Sequence, residues 1–133
     1  KSMRPYRSSE RRVTSLSGGE WSRACFARAI SSEPNLLLAD EPIAFLDPKH
    51  CFQIIKLIKN LAAEGKSALV ILHDLSITMR FFDRVIILKD GKLVAVGSPN
   101  EVMSEDFIAD TFEVDILQGQ ENSENFIIPW KIR

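Results

Sequence analysis

The chain has 133 residues, 45% hydrophobic and 26% charged, a balance that suits a soluble globular domain with one modest core. A net charge of −1 excludes an overall field that would draw it to nucleic acid or anionic lipid. No apolar run approaches the roughly 18 residues that a membrane span requires, so any membrane association is expected to run through another protein.

In chain order, Lys1 to Val13 is polar and basic, crowding Lys1, Arg4, Arg7, Arg11 and Arg12 without sustained periodicity. It reads as a solvated stretch at the cut end of something longer. The next 32 residues, Leu16 to Asp47, carry three chemical features. Ser17-Gly18-Gly19 opens a helix expected to run to about Ser32, which aims free backbone N–H groups and the positive end of the helix dipole at one place, an arrangement suited to phosphate. Trp21, Ala24, Cys25, Ala27 and Ala29 on this helix predict close packing on a sheet. Residues 35–39, bounded by Pro34, read as a buried parallel strand that delivers Asp40 and Glu41 at its C-terminal end, where metal and water chemistry belongs. Asp47-Pro48 then reads as the N-cap and first position of another helix. Taken singly, each feature has an ordinary reading, as a helix cap or a solvated strand end.

From Pro48 to Glu64, Cys51, Ile55, Ile58 and Ala62, flanked by Ile54, Leu57 and Leu61, give an apolar stripe at helical spacing, and Gly65 ends the helix. Residues 68–72 form a second short apolar run, a buried strand ending in His73-Asp74, with Asp74 capping a helix to about Phe82. A lone His after a strand is ordinarily structural. Arg84 to Lys89 and Lys92 to Gly97 flank Asp90-Gly91 as a hairpin. Ser98 starts a further helix with Glu101 in the capping-box position. Residues 112–117 and 125–128 predict a terminal hairpin whose polar stretch Gln118 to Glu124 is a mobile loop, giving a division into 1–112 and a 113–133 extension. Cys25 and Cys51 have no metal-ligand spacing and read as reduced, partly buried thiols of a cytosolic protein.

In this order, LSGGE, a helix ending in ARAI, LLLADEP and then LD resemble the signature, Walker B strand and D-loop of ABC-type ATPases. HDLSITMRFFDRVIIL and DGKLVAVGSPNEV resemble that family's switch region and the segment after it. The resemblance spans about Arg12 to Val114 and narrows to the ATPase subunits of bacterial importers for iron siderophores, haem or cobalamin. It implies an α/β fold, a partial RecA-like (P-loop NTPase) parallel sheet with flanking helices, and ATP and Mg²⁺ as cofactors. By resemblance Ser17, Gly18 and Gly19, with Glu20 in the same signature, bind the γ-phosphate of ATP held by the opposite subunit. Asp40 holds Mg²⁺ largely through water, Glu41 is the base that orients the attacking water, His73 contacts the γ-phosphate, and Asp47 acts across the dimer interface. The implied partners are a second ATPase subunit in a homodimer and transmembrane permease subunits, at the cytoplasmic face of the bacterial inner membrane.

Glu20 stands where the signature usually has Gln, and Ile43-Ala44-Phe45 where Thr-Ser-Ala is commoner. The larger departure is that no GxxxxGK[ST] occurs in the sequence. The expectation is therefore a C-terminal half, inactive alone, lacking the N-terminal half that carries the P-loop. In the fold it resembles, a further strand separates residues 68–72 from 85–88, so the sheet is expected to have a gap. Two alternatives remain at this stage: a soluble ABC ATPase acting on nucleic acid or the ribosome, hinted at only by the basic stretch, and a truncated non-catalytic interaction module. The transported solute is not encoded in these residues.

Overall fold

Local sequence chemistry sets most element boundaries in the computed structural model, which describes residues 16–133. The basic stretch at residues 1–13 lies outside them. Helix α1 (Gly18–Ser31) begins at Ser17, and strand β1 (Leu36–Asp40) follows Pro34. Helix α2 (Pro48–Ala63) has Asp47 as N-cap and Pro48 in its first turn, and the chain leaves it through Gly65 at φ +80°. That left-handed position is the one glycine fills without strain after a helix. Strand β2 (Ser67–Ile71) then pairs in parallel with β1, from Leu36 opposite Ser67 to Asp40 opposite Ile71.

These elements make the first of two compact units, which ends at Leu72. Its buried apolar side chains include Phe26, Leu37, Ile54, Ile55, Ile58 and Leu61. The stripe on α2 is thus centred on Ile54, Ile58 and Leu61 rather than on Cys51 and Ala62, since Ala62 is exposed. On α1, only Phe26 is buried, while Trp21, Ala24, Cys25, Ala27 and Ala29 are exposed. The close packing expected of those residues is absent among the described residues because the parallel sheet has two strands, too little surface to cover two helices. Leu37 is buried on one face of that sheet, whereas Leu36, Leu38, Leu69 and Ile71 are exposed on the other. Strands apolar on both faces are what a doubly covered parallel sheet requires.

The second unit runs from His73. Helix α3 (Leu75–Phe81) is capped by Asp74. Strands β3 (Val85–Lys89) and β4 (Lys92–Gly97) form an antiparallel hairpin whose turn residues Asp90 and Gly91 both have positive φ, +51° and +71°. This is the turn whose twist matches paired strands. Helix α4 (Pro99–Val102) opens with Glu101 reaching back to accept the Ser98 N–H at 2.7 Å and its hydroxyl at 2.8 Å. Those bonds hold the Glu101 carboxyl below its ordinary range. Helix α5 (Glu105–Phe112) ends at Glu113 in the left-handed region, and β5 (Val114–Glu121) pairs antiparallel with β6 (Glu124–Ile132). Val85, Ile87, Met103, Ile108, Ile116 and Ile127 form the core of this unit.

The tail differs from expectation. The expected mobile loop at Gln118 to Glu124 is strand apart from the two-residue turn Asn122-Ser123, with φ +50° and +67°. Polar residues extend the ladder because they are satisfied there: the Gln118 amide donates to the Met103 carbonyl at 2.8 Å, and the Phe126 ring lies over Gly119, where any Cβ would meet it at 2.3 Å. Residues 113–133 accordingly pack on α3 and α5 inside the second unit. The described strands form three two-stranded sheets, β1 with β2, β3 with β4 and β5 with β6.

These burial patterns predict unequal costs for loss of an aliphatic side chain. Ile55→Ala, at a site 1% exposed, should lower stability by about 2–5 kcal/mol. Leu38→Ser, at a site 67% exposed, should change it by less than about 0.5 kcal/mol. Urea unfolding of the two variants measures the difference, and equal costs would mean that β1 is covered on both faces.

Candidate functional site: the glycine-opened helix and the Asp-Glu turn

The start of α1 is fixed by reciprocal capping. The Ser17 side chain accepts the Glu20 N–H at 3.2 Å, and the Glu20 carboxylate accepts the Ser17 N–H at 2.9 Å. The Trp21 N–H goes to the Ser17 carbonyl at 2.9 Å. Gly18 and Gly19 are therefore the first-turn residues whose N–H groups have no partner within the helix, the position where an anion gains most from the dipole. A Cβ at Gly18 would meet nothing within 4 Å, whereas one at Gly19 would lie 3.2 Å from the Leu46 side chain and 3.6 Å from the Phe45 carbonyl. The second glycine thus lets the turn before α2 approach the helix end. The Ser22 hydroxyl also bonds that turn, donating to the Pro42 carbonyl at 3.3 Å.

The turn begins where the parallel pair ends. Asp40 closes β1 opposite Ile71, and the Glu41 N–H donates to the Ile71 carbonyl at 3.1 Å, so the ladder reaches one residue beyond the strand. Glu41 itself sits at φ +44° and Phe45 at φ +60°, left-handed conformations that cost a non-glycine residue on the order of 1 kcal/mol. Bonds from the Ala44 N–H to the Glu41 carbonyl (3.0 Å) and from the Leu46 N–H to the Ile43 carbonyl (3.3 Å) hold this shape. Asp40 and Glu41 are both exposed. No group of three or more His, Cys, Asp or Glu side chains gathers as a metal cage among the described residues. Mg²⁺ needs none, since it keeps several waters and takes one or two carboxylates plus substrate phosphates. The adjacent carboxylates fit that mode.

Asp47 caps α2 by accepting the His50 N–H at 3.1 Å, and its second oxygen accepts from the His50 ring. The His50 ring, followed by its backbone N–H, holds the Asp47 carboxyl below the ordinary carboxylate value. Sequence reading missed His50, Ser22 and Leu46 as supports, although a His three residues after an N-cap Asp is a readable signal. Cys51, half-buried, directs its thiol to the Ile43 and Leu46 carbonyls, while Cys25 is exposed rather than partly buried. Ser17, Gly18, Gly19, Glu20, Asp40, Glu41 and Asp47 all lie in the first unit. His73 is the exposed first residue of the second, directly before the Asp74 cap of α3.

An α/β unit whose strand ends in adjacent carboxylates beside a glycine-opened helix is of the class suited to binding nucleotide phosphates. Residues 2–44 match the ABC transporter family. The chain is 37% identical over 132 residues to the hemin import ATP-binding protein HmuV of Bradyrhizobium diazoefficiens, covering 93% of this chain and 49% of that protein. It is 40% identical over 125 residues to the petrobactin import ATP-binding protein FpuC of Bacillus anthracis, covering 92% and 45%. It thus spans about half the length of the curated relatives it matches. The fold superposes with TM-score 0.77 on a chain of an ABC transporter in an inward-facing conformation, at 22% identity over 90% of this chain and 49% of that one. It also superposes with TM-score 0.60 on the ATP-binding cassette MJ0796, solved as a dimer bound to ADP and Pi, at 37% identity over 65% of this chain and 37% of that one. In sequence and in fold this chain is therefore similar to ATP-binding proteins of the ABC transporter family.

The Asp47 cap predicts a pH dependence. Because its folded pKa is depressed, the stabilisation is present above the unfolded value near 3.8 and is lost as pH falls through the folded value. Asp47→Ala should lower stability at neutral pH, because the His50 N–H loses its cap. Asp47→Asn should retain most of the cap and flatten the acid limb. Circular dichroism titration from pH 6 down to pH 2, alongside urea unfolding, tests both, and an unchanged acid limb in Asp47→Asn would remove the ionised cap.

Proposed function

We propose that this chain is the C-terminal half of the ATP-hydrolysing subunit of a bacterial ABC importer of the hemin and siderophore type. The observation that carries the proposal is the close approach at Gly19, where the LSGGE helix start meets the turn that follows Asp40-Glu41. It brings an anion-binding helix end and a strand-end carboxylate pair into one compact unit, within a sequence matching hemin and petrobactin import ATP-binding proteins over nine-tenths of its length. Ser17, Gly18 and Gly19 bind the γ-phosphate of ATP held by a second subunit, through the first-turn N–H groups of α1. Glu20 holds that turn through the capping box. Asp40 would hold Mg²⁺. When bound, the ion neutralises charge on the β- and γ-phosphates.

Glu41 accepts a proton from the water that attacks the γ-phosphorus, ADP leaves, and inorganic phosphate is released. His73 donates to a γ-phosphate oxygen, and Asp47 faces the second subunit. Little covalent assistance is needed, because positioning and charge stabilisation dominate phosphoryl transfer. The triphosphate cradle comes from a P-loop half not contained in these residues. No helix among the described residues is long and apolar enough to cross a membrane, so attachment to the cytoplasmic face of the inner membrane runs through permease subunits.

The 133-residue chain alone should not hydrolyse ATP. Turnover of about 1 per second or more, abolished by Glu41→Gln, would overturn the requirement for a second half. In a subunit that joins this chain to a P-loop half, Glu41→Gln should retain ATP binding and trap a closed dimer. Gly19→Asp should weaken closure, because the new side chain meets Leu46 and puts a negative charge where phosphate approaches. ATP-dependent dimerisation by analytical ultracentrifugation separates the two variants, and equal loss in both would refute distinct roles for the base and the signature.

A further inference from the structure

We infer that Ser76 is a positioning residue for His73, and that the C-terminal hairpin acts through it as a clamp on the switch segment. This rests on the reading of His73 as a γ-phosphate ligand. His73 immediately precedes the cap of α3, and the cap is fully engaged. An Asp74 carboxylate oxygen accepts the Ile77 N–H at 2.7 Å, and the Asp74 carbonyl accepts both the Thr78 N–H at 3.0 Å and the Thr78 hydroxyl at 2.8 Å. With its cap formed in this way, the chain at His73 follows the helix.

Helix α3 is in turn tied to β6 at both ends. The Ser76 hydroxyl donates to the Ile127 carbonyl and accepts the Ile127 N–H at 3.2 Å. Ile127 is 1% exposed and belongs to the core of the second unit, with Leu75 and Met79 of α3 packed against that core. Toward the other end of α3, Arg80 donates through Nε at 2.8 Å and through Nη2 to the Glu124 carboxylate beside the hairpin turn. One hydroxyl therefore serves as donor to the carbonyl and acceptor from the N–H of a single buried residue, three residues from His73. An apolar replacement leaves that N–H and carbonyl without their side-chain partner. A helix needing only an apolar dock would not need a hydroxyl there. The paired bonds fix how far α3 advances along β6, and hence where its first turn and His73 stand.

The test reads the imidazole directly. The chain contains two histidines, so an imidazole ¹H–¹³C correlation spectrum shows two signals, assigned with His50→Gln. Ser76→Ala should move or broaden the His73 signal, leave the His50 signal in place, and be reversed by Ser76→Thr, which keeps the hydroxyl. An unmoved His73 signal in folded Ser76→Ala overturns the inference. Should Ser76→Ala unfold, with both signals collapsing to random-coil positions, Glu124→Gln at the exposed end of the clamp is read in the same way. A shift confined to His73 supports the inference and no shift overturns it. In the subunit joined to a P-loop half, Ser76→Ala should lower kcat about tenfold with KM for ATP within about twofold. An unchanged kcat defeats the positioning role. Undiminished turnover in Glu41→Gln would instead defeat the catalytic reading, and the imidazole shift would still stand.

Discussion

The parallel pairing of β1 with β2 is the constraint on which the first unit depends. Its register sets Asp40 opposite Ile71, and the Ile71 carbonyl then takes the Glu41 N–H, so the sheet itself fixes where the carboxylates leave the strand. A one-residue slip would exchange the two faces of β1, turning Leu37 outward and moving Asp40 to the face that is now buried. Burial of Leu37 therefore protects the placement of the Asp-Glu pair as well as the core. The left-handed backbone at Glu41 and Phe45 is the local cost of turning the chain from the strand end into α2 within a few residues.

The second unit reaches definition by a different route, because its strands are antiparallel and its bonds local. Capping at Ser98 and the two-residue turns at Asp90-Gly91 and Asn122-Ser123 require only neighbours in sequence. The chain end is held to the start of β5 by charge: Arg133 donates to Asp110 at 2.6 Å and to Asp115 at 2.8 Å, and Lys131 lies 3.3 Å from Asp115. Arg133, and then Lys131, hold the Asp115 carboxyl below its ordinary range. All of these groups face water, where screening leaves each pair little net stabilisation. Apolar burial around Ile108, Ile116 and Ile127 does most of the stabilising.

What was legible in the sequence was whatever is encoded within a few residues. The caps at Ser17, Asp47 and Asp74, the Gly65 exit and the Asp90-Gly91 turn all appear where side-chain chemistry required them. The terminal hairpin was legible, but its length was not, because Gln118 and Gln120 look like loop residues and the Met103 carbonyl that satisfies Gln118 is distant in sequence. The small-residue face of α1 was misread for the opposite reason. Its pattern describes a neighbour that two strands do not provide. The supports of the candidate site, Leu46 against Gly19 and His50 on Asp47, needed the folded turn to be seen.

The two glycines of the signature answer separate physical demands. At Gly18 a side chain would meet open space, so the internal packing of the first unit places no requirement for glycine there. Any pressure against a side chain at Gly18 has to come from something that approaches the helix end from outside, as a phosphate must in order to reach the backbone N–H groups. At Gly19 the demand is internal, because a Cβ would come within 3.2 Å of the Leu46 side chain and would push it back by a few tenths of an ångström. Phe45, 96% exposed and backbone-strained, gains little from burial within its own unit. The turn is therefore held by its backbone bonds and by Leu46 against Gly19. Gly19 therefore bears on how the turn seats against the helix end, whereas nothing inside the first unit constrains Gly18.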